Sequence, residues 1–580
     1  MQTKTLPDAV THQEAVPVNT HRFFPYAMIL LMGCAIFLLD ATLPLRGLWF
    51  YDALLHTNFD PWLLYPTHLL FPGKPTALFQ PGVRAIQAGP LSIAWRETGM
   101  LFASFALLFL FYLVGLRRLT RTVSIRYVLL STLLIGLLFT IIPVVTSQDI
   151  FSYIGYMRLE VFYHLNPLTA LPIALQNDPI QARIYWLHQP SAYGPTWFFI
   201  TGALQEIALL FGFRQVHIMV ILLRVISVGI HVGSTFLIWS ISGKLARLSP
   251  SASLITPRRR LYATLAFAWN PFLLLEAGLN AHNDITILFL VLLAIWFLVS
   301  YPGTLRSYAL ASVMLAAAAS MKITLGMLLP GLLLYLWAQK SRRWLALFIT
   351  IAAYLGTMIL FYAPFWQDGQ VLHFLLINPG SSHEQNTFYE FLIRLYASLT
   401  GTYIASTAQL AGSHIENVLH AFSLALFVIA YAALFLQALL PGRGVKTIPD
   451  MIRWMVLAWL AYIVIGSPWF WPWYAITLFG LYALLEAIST NKRPFLGFLD
   501  LPLAVRMSAF SMLTLYCWLS IAPVKTIVPH LTNFPWAYVR GLWIWIPPLL
   551  AVRFVLLWKK VQPKKSKATE QAVQPVQSTQ

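Results

Sequence analysis

The sequence predicts an all-α polytopic membrane protein with about fourteen transmembrane helices. Three observations predict it. Of the 580 residues, 58% are hydrophobic and only 10% are charged, against about 25% charged in soluble domains. Mean hydropathy is +0.69. The apolar residues fall in runs near the length, about 20 residues, that a bilayer demands. A net charge of +19 would suggest nucleic acid for a soluble chain. In a membrane chain it belongs to basic cytoplasmic loops, so no nucleic-acid partner is implied. Cys34 and Cys517 both sit in hydrophobic runs, which gives no disulfide framework.

In chain order, a polar tail (1–23) precedes the first span, Phe24–Leu45. This run is longer than a signal-peptide core and has no small-residue cleavage site. A loop rich in proline and aromatic residues leads to a second span near Met100–Leu116, which stops at the basic RRLTR, a cytoplasmic marker. The third, Tyr127–Val145, delivers Asp149 to the outer face. The next segment, Pro195–Phe213, decides the topology. If it spans, the basic loops at Lys244–Arg260, Lys340–Arg343, GRGVK and NKR all fall outside. If it lies along the outer interface as an amphipathic helix, every one of them falls inside. Gln205 and Glu206 in mid-segment also favour the interfacial reading.

The remaining spans are 216–240, 260–279, 285–301, 306–321, 324–338, 344–363, 418–440, 451–467, 473–490, 503–522 and 538–557, with both termini cytoplasmic. The basic, then polar tail from Lys559 is expected to be disordered. The chain thus divides into an N-terminal hairpin (24–125), a membrane core (126–490) with an outer loop (146–215), C-terminal helices (491–558) and the tail (559–580). Asp149, Glu160, Asp178, Asp284, Asp368, Glu384, Glu390 and Glu416 then all fall at or beyond the outer ends of spans. Acid–base chemistry is expected on that face.

The stretch Gln148–Trp197 gathers Asp149, Arg158, His164, Asp178, Arg183, His188 and Tyr193 before the phrase AYGPTW. A carboxylate at a water–membrane boundary can take a proton from an acceptor hydroxyl; Asp149 can equally cap a short helix. Arg158 and Arg183 suit a phosphate, whose oxygens match a guanidinium, or simple snorkelling to the headgroups. Asn166-Pro167 and Asn177-Asp178-Pro179 read first as turns. Asn280, His282, Asn283 and Asp284 make a polar turn between apolar spans, costly there without a partner. Either a bound sugar or phosphate or plain turn geometry accounts for them. Lys322, at the outer end of a small-residue helix, is suited to neutralise a lipid phosphate. Trp473 and Tyr474 belong to an aromatic cluster at the outer boundary, an interfacial belt or a floor for sugar stacking. No Asp-x-Asp clamp, P-loop, zinc spacing or Cys-x-x-Cys occurs. No cofactor and no metal ligand set are therefore implied, while a divalent metal stays open.

The ordered phrases DIFSYIGYMR…NP…NDP…SAYGPTW, WNPFLLLEAGLNAHNDI, SMKITLGMLLP and PWFWPWYAITL, from about Tyr127 to Leu478, resemble the GT-C superfamily of integral membrane glycosyltransferases. Bacterial polyprenol-phosphate-mannose-dependent alpha-mannosyltransferases are the most similar. The resemblance implies a GT-C-like core with outer-face juxtamembrane helices. It also implies inverting transfer of a sugar, mannose in the nearest members, from a polyprenyl-phosphate donor to a lipid or glycan acceptor. The site would lie on the extracytoplasmic face of a multi-pass plasma-membrane protein. Asp149 would be the general base. Arg158 and Lys322, helped by His282, would hold the donor phosphate. Tyr193, Asn283, Asp284, Asp178, Trp473 and Tyr474 would contact the sugar or acceptor.

Two other classes compete. A transporter or flippase of a lipid-linked sugar would need ionisable groups within spans, for which Asp40, Arg224, His231 and Glu276 are the candidates. A non-catalytic assembly scaffold would tolerate loss of Asp149. Within the enzyme class, Asp40 or Asp52 would replace Asp149 if the core began at the first span.

Overall fold

The computed structural model describes residues 23–42, 91–142, 146–147, 149–184, 186–248, 255–339, 342–372, 386–400, 414–488, 502–521 and 536–561. The polar N-terminal tail, the loop after the first span with Asp52, Glu384 and the tail beyond Val561 lie outside these residues, as does most of Asn378–Tyr389. The regular elements described are helices. They run α1 (Phe24–Thr42), α2 (Leu91–Arg118), α3 (Ile125–Thr140), α4 (Asp149–Val161), α5 (Pro195–Leu210), α6 (Val216–Leu248), α7 (Pro257–Ala268), α8 (Pro271–Gly278) and α9 (Asp284–Ser300). There follow α10 (Leu305–Met321), α11 (Leu329–Trp337), α12 (Arg343–Tyr362), α13 (Phe388–Thr400), α14 (His414–Leu439), α15 (Ile448–Ala461), α16 (Ile476–Ile488), α17 (Pro502–Ile521) and α18 (Trp536–Val561).

Among the described residues six helical stretches are long and apolar enough to cross a membrane: Phe24–Ala41, Gly99–Arg121, Val216–Leu248, Arg343–Phe365, Asn417–Leu439 and Ile448–Gly466. Other apolar helices, among them α3, α9 and α10, are shorter. Several expected spans are not single α-helices: 451–467 ends in a π-helical turn, 473–490 starts with a 3-10 turn, and two others break as follows. The segment 260–279 breaks at Asn270 because Pro271 has no N–H and excludes helical geometry from the residue before it. Asn270 sits at ψ 116, and its side chain caps the restarted helix by accepting from Phe272 N–H. The segment 324–338 begins as a 3-10 turn, Ile323–Leu328, before α11. Helix α5 is not among the apolar helices of either length class. Gln205 on it turns inward and is fully buried, while Glu206 is exposed. Only the second of these polar residues therefore behaves as expected for a surface helix.

Helix α9 is the hub, packing against α6, α10 and α16. Its sequence, DITILFLVLLAIWFLVS, is apolar after the first residue, and most of its side chains are buried. Ala316–Ala319 let α10 approach α9 and α12 closely. Helices α12 and α14 instead turn Phe348, Ile359, Leu360, Phe422, Ile429 and Leu436 outward, a surface suited to lipid.

The bundle has two chemically different ends. At one, arginines from the N-terminal ends of α7 and α17 meet α6 and the C-terminal end of α16. Arg260 covers Trp239, Arg259 donates to the Glu486 carbonyl, and Arg506 pairs with the Glu486 carboxylate at 2.8 Å. At the other end lie the C-termini of α3, α8 and α10 and the N-termini of α4 and α9, and there the carboxylates gather.

Arg224 on α6 ties that second end together. It is 1% exposed, and no carboxylate pairs with it among the described residues. Its Nε donates to the Leu279 carbonyl at 2.8 Å, and its Nη1 to those of Thr140 (2.8 Å) and Ile142 (2.5 Å). These carbonyls close α8 and α3, where partial negative charge accumulates. Hydrogen bonds to a charged group are worth about 1.5–3 kcal/mol each, so Arg224→Leu is expected to destabilise the fold by roughly 3–5 kcal/mol. Thermal unfolding in detergent measures this, and an unchanged midpoint would contradict it.

Glu160 on α4 faces Gly202 of α5. Burial first, and then the Glu206 carboxylate, raise the Glu160 carboxyl from 4.5 to about 7. A carboxyl raised in the folded state favours folding when protonated. Its contribution is complete below pH 4.5 and lost as pH rises through about 7. The unfolding midpoint should therefore fall across that window, and Glu160→Gln should flatten the fall.

Candidate active site

Asp149 is the first residue of α4, and its N–H donates to Ser147 Oγ at 3.2 Å. Ser147 thus serves the helix start and leaves the Asp149 carboxylate available. That carboxylate is 17% exposed and accepts from Tyr193 Oη–H at 3.0 Å. Burial, and secondly Asp149, push the Tyr193 phenol well above its ordinary range, so the hydroxyl stays a donor. The loop carrying Tyr193 is clamped to the end of α10. Gly194 N–H donates to the Met321 carbonyl at 3.1 Å, and the Thr196 and Ser320 hydroxyls are hydrogen-bonded. A Cβ on Gly194 would collide with the Ser320 carbonyl, so only glycine fits.

The turn 279–283 brings the second set. Ala281 adopts φ 51, left-handed geometry that costs roughly 1–2 kcal/mol for a residue with a Cβ. Bonds from Asn280 N–H to Leu275 O and from His282 N–H to Glu276 O, each 3.1 Å, hold it there. The turn carries His282 inward, with Nδ1 2.5 Å from Glu276 Oε2 and Nε2 3.1 Å from Ser147 Oγ. The same Nε2 lies 3.8 Å from Asp149 Oδ2. Trp473 stacks on the imidazole with centroids 3.9 Å apart, and Trp471 stacks against Trp473 at 4.9 Å.

Lys322 follows α10 and is 18% exposed. Its Nζ lies 3.2 Å from Asp284 Oδ1 and 3.5 Å above the Tyr474 ring. Burial lowers the ammonium's pKa, and the Asp284 carboxylate opposes that shift. Two polar atoms here have no hydrogen-bond partner although buried: Asn283 Nδ2 and Asp284 Oδ2. One donor and one acceptor left unpaired are costly and match the chemistry of sugar hydroxyls.

The structure therefore assembles Asp149, Tyr193, His282, Asn283, Asp284, Lys322, Trp473 and Tyr474 in one cluster. Arg158 and Asp178 are not part of it. They pair with each other at 2.5 Å, Arg158 also donates to the Arg214 carbonyl, and both are nearly fully buried. Arg158 stands nine residues along α4 from Asp149, about 13 Å away. Asp178 also makes the expected turn, accepting from Ile180 N–H, and Asn166 does the same for Leu168. No hydrogen bond or ion pair links Asp40 on α1 to the cluster among the described residues, and one of its carboxylate oxygens is unpartnered. Glu276 and Ser147 were not expected at the site, nor was Tyr516, whose hydroxyl reaches Glu276 at 2.5 Å. For Glu276 the available signal was an ionisable residue inside an apolar span. The clustered carboxylates are already engaged, Asp149 by Tyr193, Asp284 by Lys322 and Glu276 by His282. Among the described residues no group of three or more His, Cys, Asp or Glu could hold a metal ion.

The family described as alpha-(1->6)-mannopyranosyltransferase, N-terminal domain, matches residues 74–339, just under half of the chain. The match spans α2 to α11, with Asp149, Tyr193, His282 and Lys322 inside it and Trp473, Tyr474 and Tyr516 beyond it. It supports a mannosyltransferase of the GT-C superfamily. No curated protein matches the chain.

Gly194→Ala should displace the Tyr193 loop from the end of α10. Sugar transfer by the folded variant is expected to fall by about 10²-fold, the cost of a misplacement of about 1 Å, and the unfolding midpoint should fall as well because the clash is with backbone. Wild-type turnover by this variant would contradict the clamp.

Proposed function

We propose that this chain is a mannose-transferring glycosyltransferase of the GT-C superfamily and that it takes its sugar from a polyprenyl phosphate. It would pass the sugar, with inversion, to a hydroxyl of a lipid or glycan acceptor. The observation that carries the reading is the partly exposed Asp149 carboxylate, held by Tyr193 in one cluster with Lys322 and His282. Nothing in that cluster resembles a nucleotide site. The ring of arginines at the opposite end supports a cytoplasmic assignment for that end. The Asp149 cluster then belongs to the extracytoplasmic leaflet of the plasma membrane in a multi-pass protein, where a lipid-linked donor presents its phosphate.

In this mechanism the acceptor hydroxyl docks on Asp149. As its oxygen attacks the anomeric carbon, Asp149 Oδ takes the proton. The bond from the anomeric carbon to the phosphate oxygen breaks, and the electron pair leaves with the polyprenyl phosphate. The Lys322 ammonium offsets the growing phosphate charge. Asn283 Nδ2 and Asp284 Oδ2 hold sugar hydroxyls, while Trp473 backs His282 and Tyr474 lies under the Lys322 ammonium. The buried pairing of Arg158 with Asp178 argues against a phosphate role for Arg158 and a sugar role for Asp178.

The test uses protein in liposomes with mannosyl polyprenyl phosphate and a mixture of lipid and oligosaccharide acceptors. Asp149→Asn keeps the shape and removes the base, so transfer should fall by about 10²–10⁴ with donor binding retained. Equal transfer by both proteins would defeat the assignment of Asp149. Lys322→Met should weaken donor binding and turnover together, whereas Arg158→Lys should leave donor affinity near wild type.

A further inference from the structure

Glu276 is the most deeply buried carboxylate near the cluster, and the mechanism above gives it no task. It is 0% exposed, in an apolar helix where an isolated charge is expensive. Three donors surround it: His282 Nδ1 and Asn280 Nδ2 reach Oε2 at 2.5 and 2.8 Å, and Tyr516 Oη reaches Oε1 at 2.5 Å. Asn280 is in turn held by the Thr146 hydroxyl. With a donor-capable group on each contact, both carboxylate oxygens serve as acceptors.

That acceptor fixes the direction of every hydrogen bond that follows. In its neutral form His282 donates from Nδ1 to Glu276, which leaves a lone pair on Nε2. Nε2 then accepts the Ser147 hydroxyl proton at 3.1 Å, and Ser147 Oγ accepts the N–H of Asp149 at 3.2 Å. Trp473 stacked on the ring prevents the imidazole from tilting away. The chain runs without reversal from a buried carboxyl group to the backbone of the base.

We propose that Glu276 is a positioning residue that sets the His282 tautomer and, through Ser147, holds Asp149 as a free proton acceptor. The proposal rests on the assignment of Asp149 as base. If the tautomer were reversed, an Nε2–H would face Asp149 Oδ2, now 3.8 Å away, and compete for the carboxylate that must accept the acceptor's proton. Tyr516 on α17 completes the cage from a helix beyond the matched residues 74–339, so the C-terminal helices take part in setting the site.

Glu276→Gln is the sharpest variant, because an amide has nearly the same shape but can donate to Nδ1 and reverse the tautomer. In full-length protein labelled with ¹⁵N-histidine, His282→Gln identifies the His282 signals by difference. The wild type is expected to carry its proton on Nδ1, and Glu276→Gln to move it wholly or partly to Nε2. With mannosyl polyprenyl phosphate as donor, kcat should fall at least roughly tenfold, as for other tautomer errors, with KM within about twofold. Tyr516→Phe, which removes one donor and little bulk, should give a smaller loss of the same kind. A wild-type Nε2–H tautomer, or a tautomer unchanged in Glu276→Gln, would overturn the proposal. So would a fall in kcat accompanied by an equal loss of donor binding and of unfolding midpoint. The expected tautomers without any sugar transfer by the wild type would uphold the hydrogen-bond chain and overturn the transferase mechanism instead.

Discussion

A guanidinium in an apolar interior dictates how this protein is put together. Among the described residues no carboxylate neutralises Arg224, and its charge is carried by three main-chain carbonyls at the ends of α3 and α8. Helix ends are where such carbonyls are unsatisfied, so the arginine and the two helix ends solve each other's problem. The consequence reaches the chemistry, because the segment after α3 carries Ser147 and Asp149 and the turn after α8 carries His282. Both are aligned from the same buried point on α6.

The same constraint explains why the site is built from interrupted helices. Backbone that leaves helical geometry at membrane depth must be buried in protein or line a polar cavity. The break at Asn270, the left-handed Ala281 and the 3-10 turn after Lys322 all meet that condition by side-chain capping or main-chain bonds. Each interruption turns a polar group inward: Glu276, His282 and Lys322 respectively lie within or just beyond an apolar helix. Close helix approach makes this possible. Gly278 leaves no room for a Cβ against the Gly136 carbonyl and Phe139, so α8 and α3 meet through their backbones.

Much of this was legible in the sequence, for identifiable reasons. Asp149, Lys322 and the His282–Asp284 turn stand out because polar residues beside apolar runs are expensive, and expense marks purpose. The helical class and the two ends of opposite chemistry follow from hydropathy and arginine position. The fates of Arg158 and Asp178 were hidden, since pairing across twenty residues of loop depends on a tertiary path that spacing does not encode. Their residue types suited phosphate and sugar equally well as they suited each other. Glu276 was visible as an anomaly but not as part of the site. Its partners, Asn280, His282 and Tyr516, come from a local turn and from a helix some 240 positions away in the chain. Gln205 misled in the opposite sense, since a polar residue on a helix can face inward as readily as outward.

The most direct measurement is a structure of the Asp149→Asn protein in a lipid nanodisc with mannosyl polyprenyl phosphate bound. The anomeric carbon should face residue 149, with room for an oxygen between them, and the phosphate should lie within hydrogen-bond distance of Lys322. A phosphate bound at Arg158, or a sugar seated at the arginine-rich end of the bundle beside Arg506, would contradict the assignment of the site.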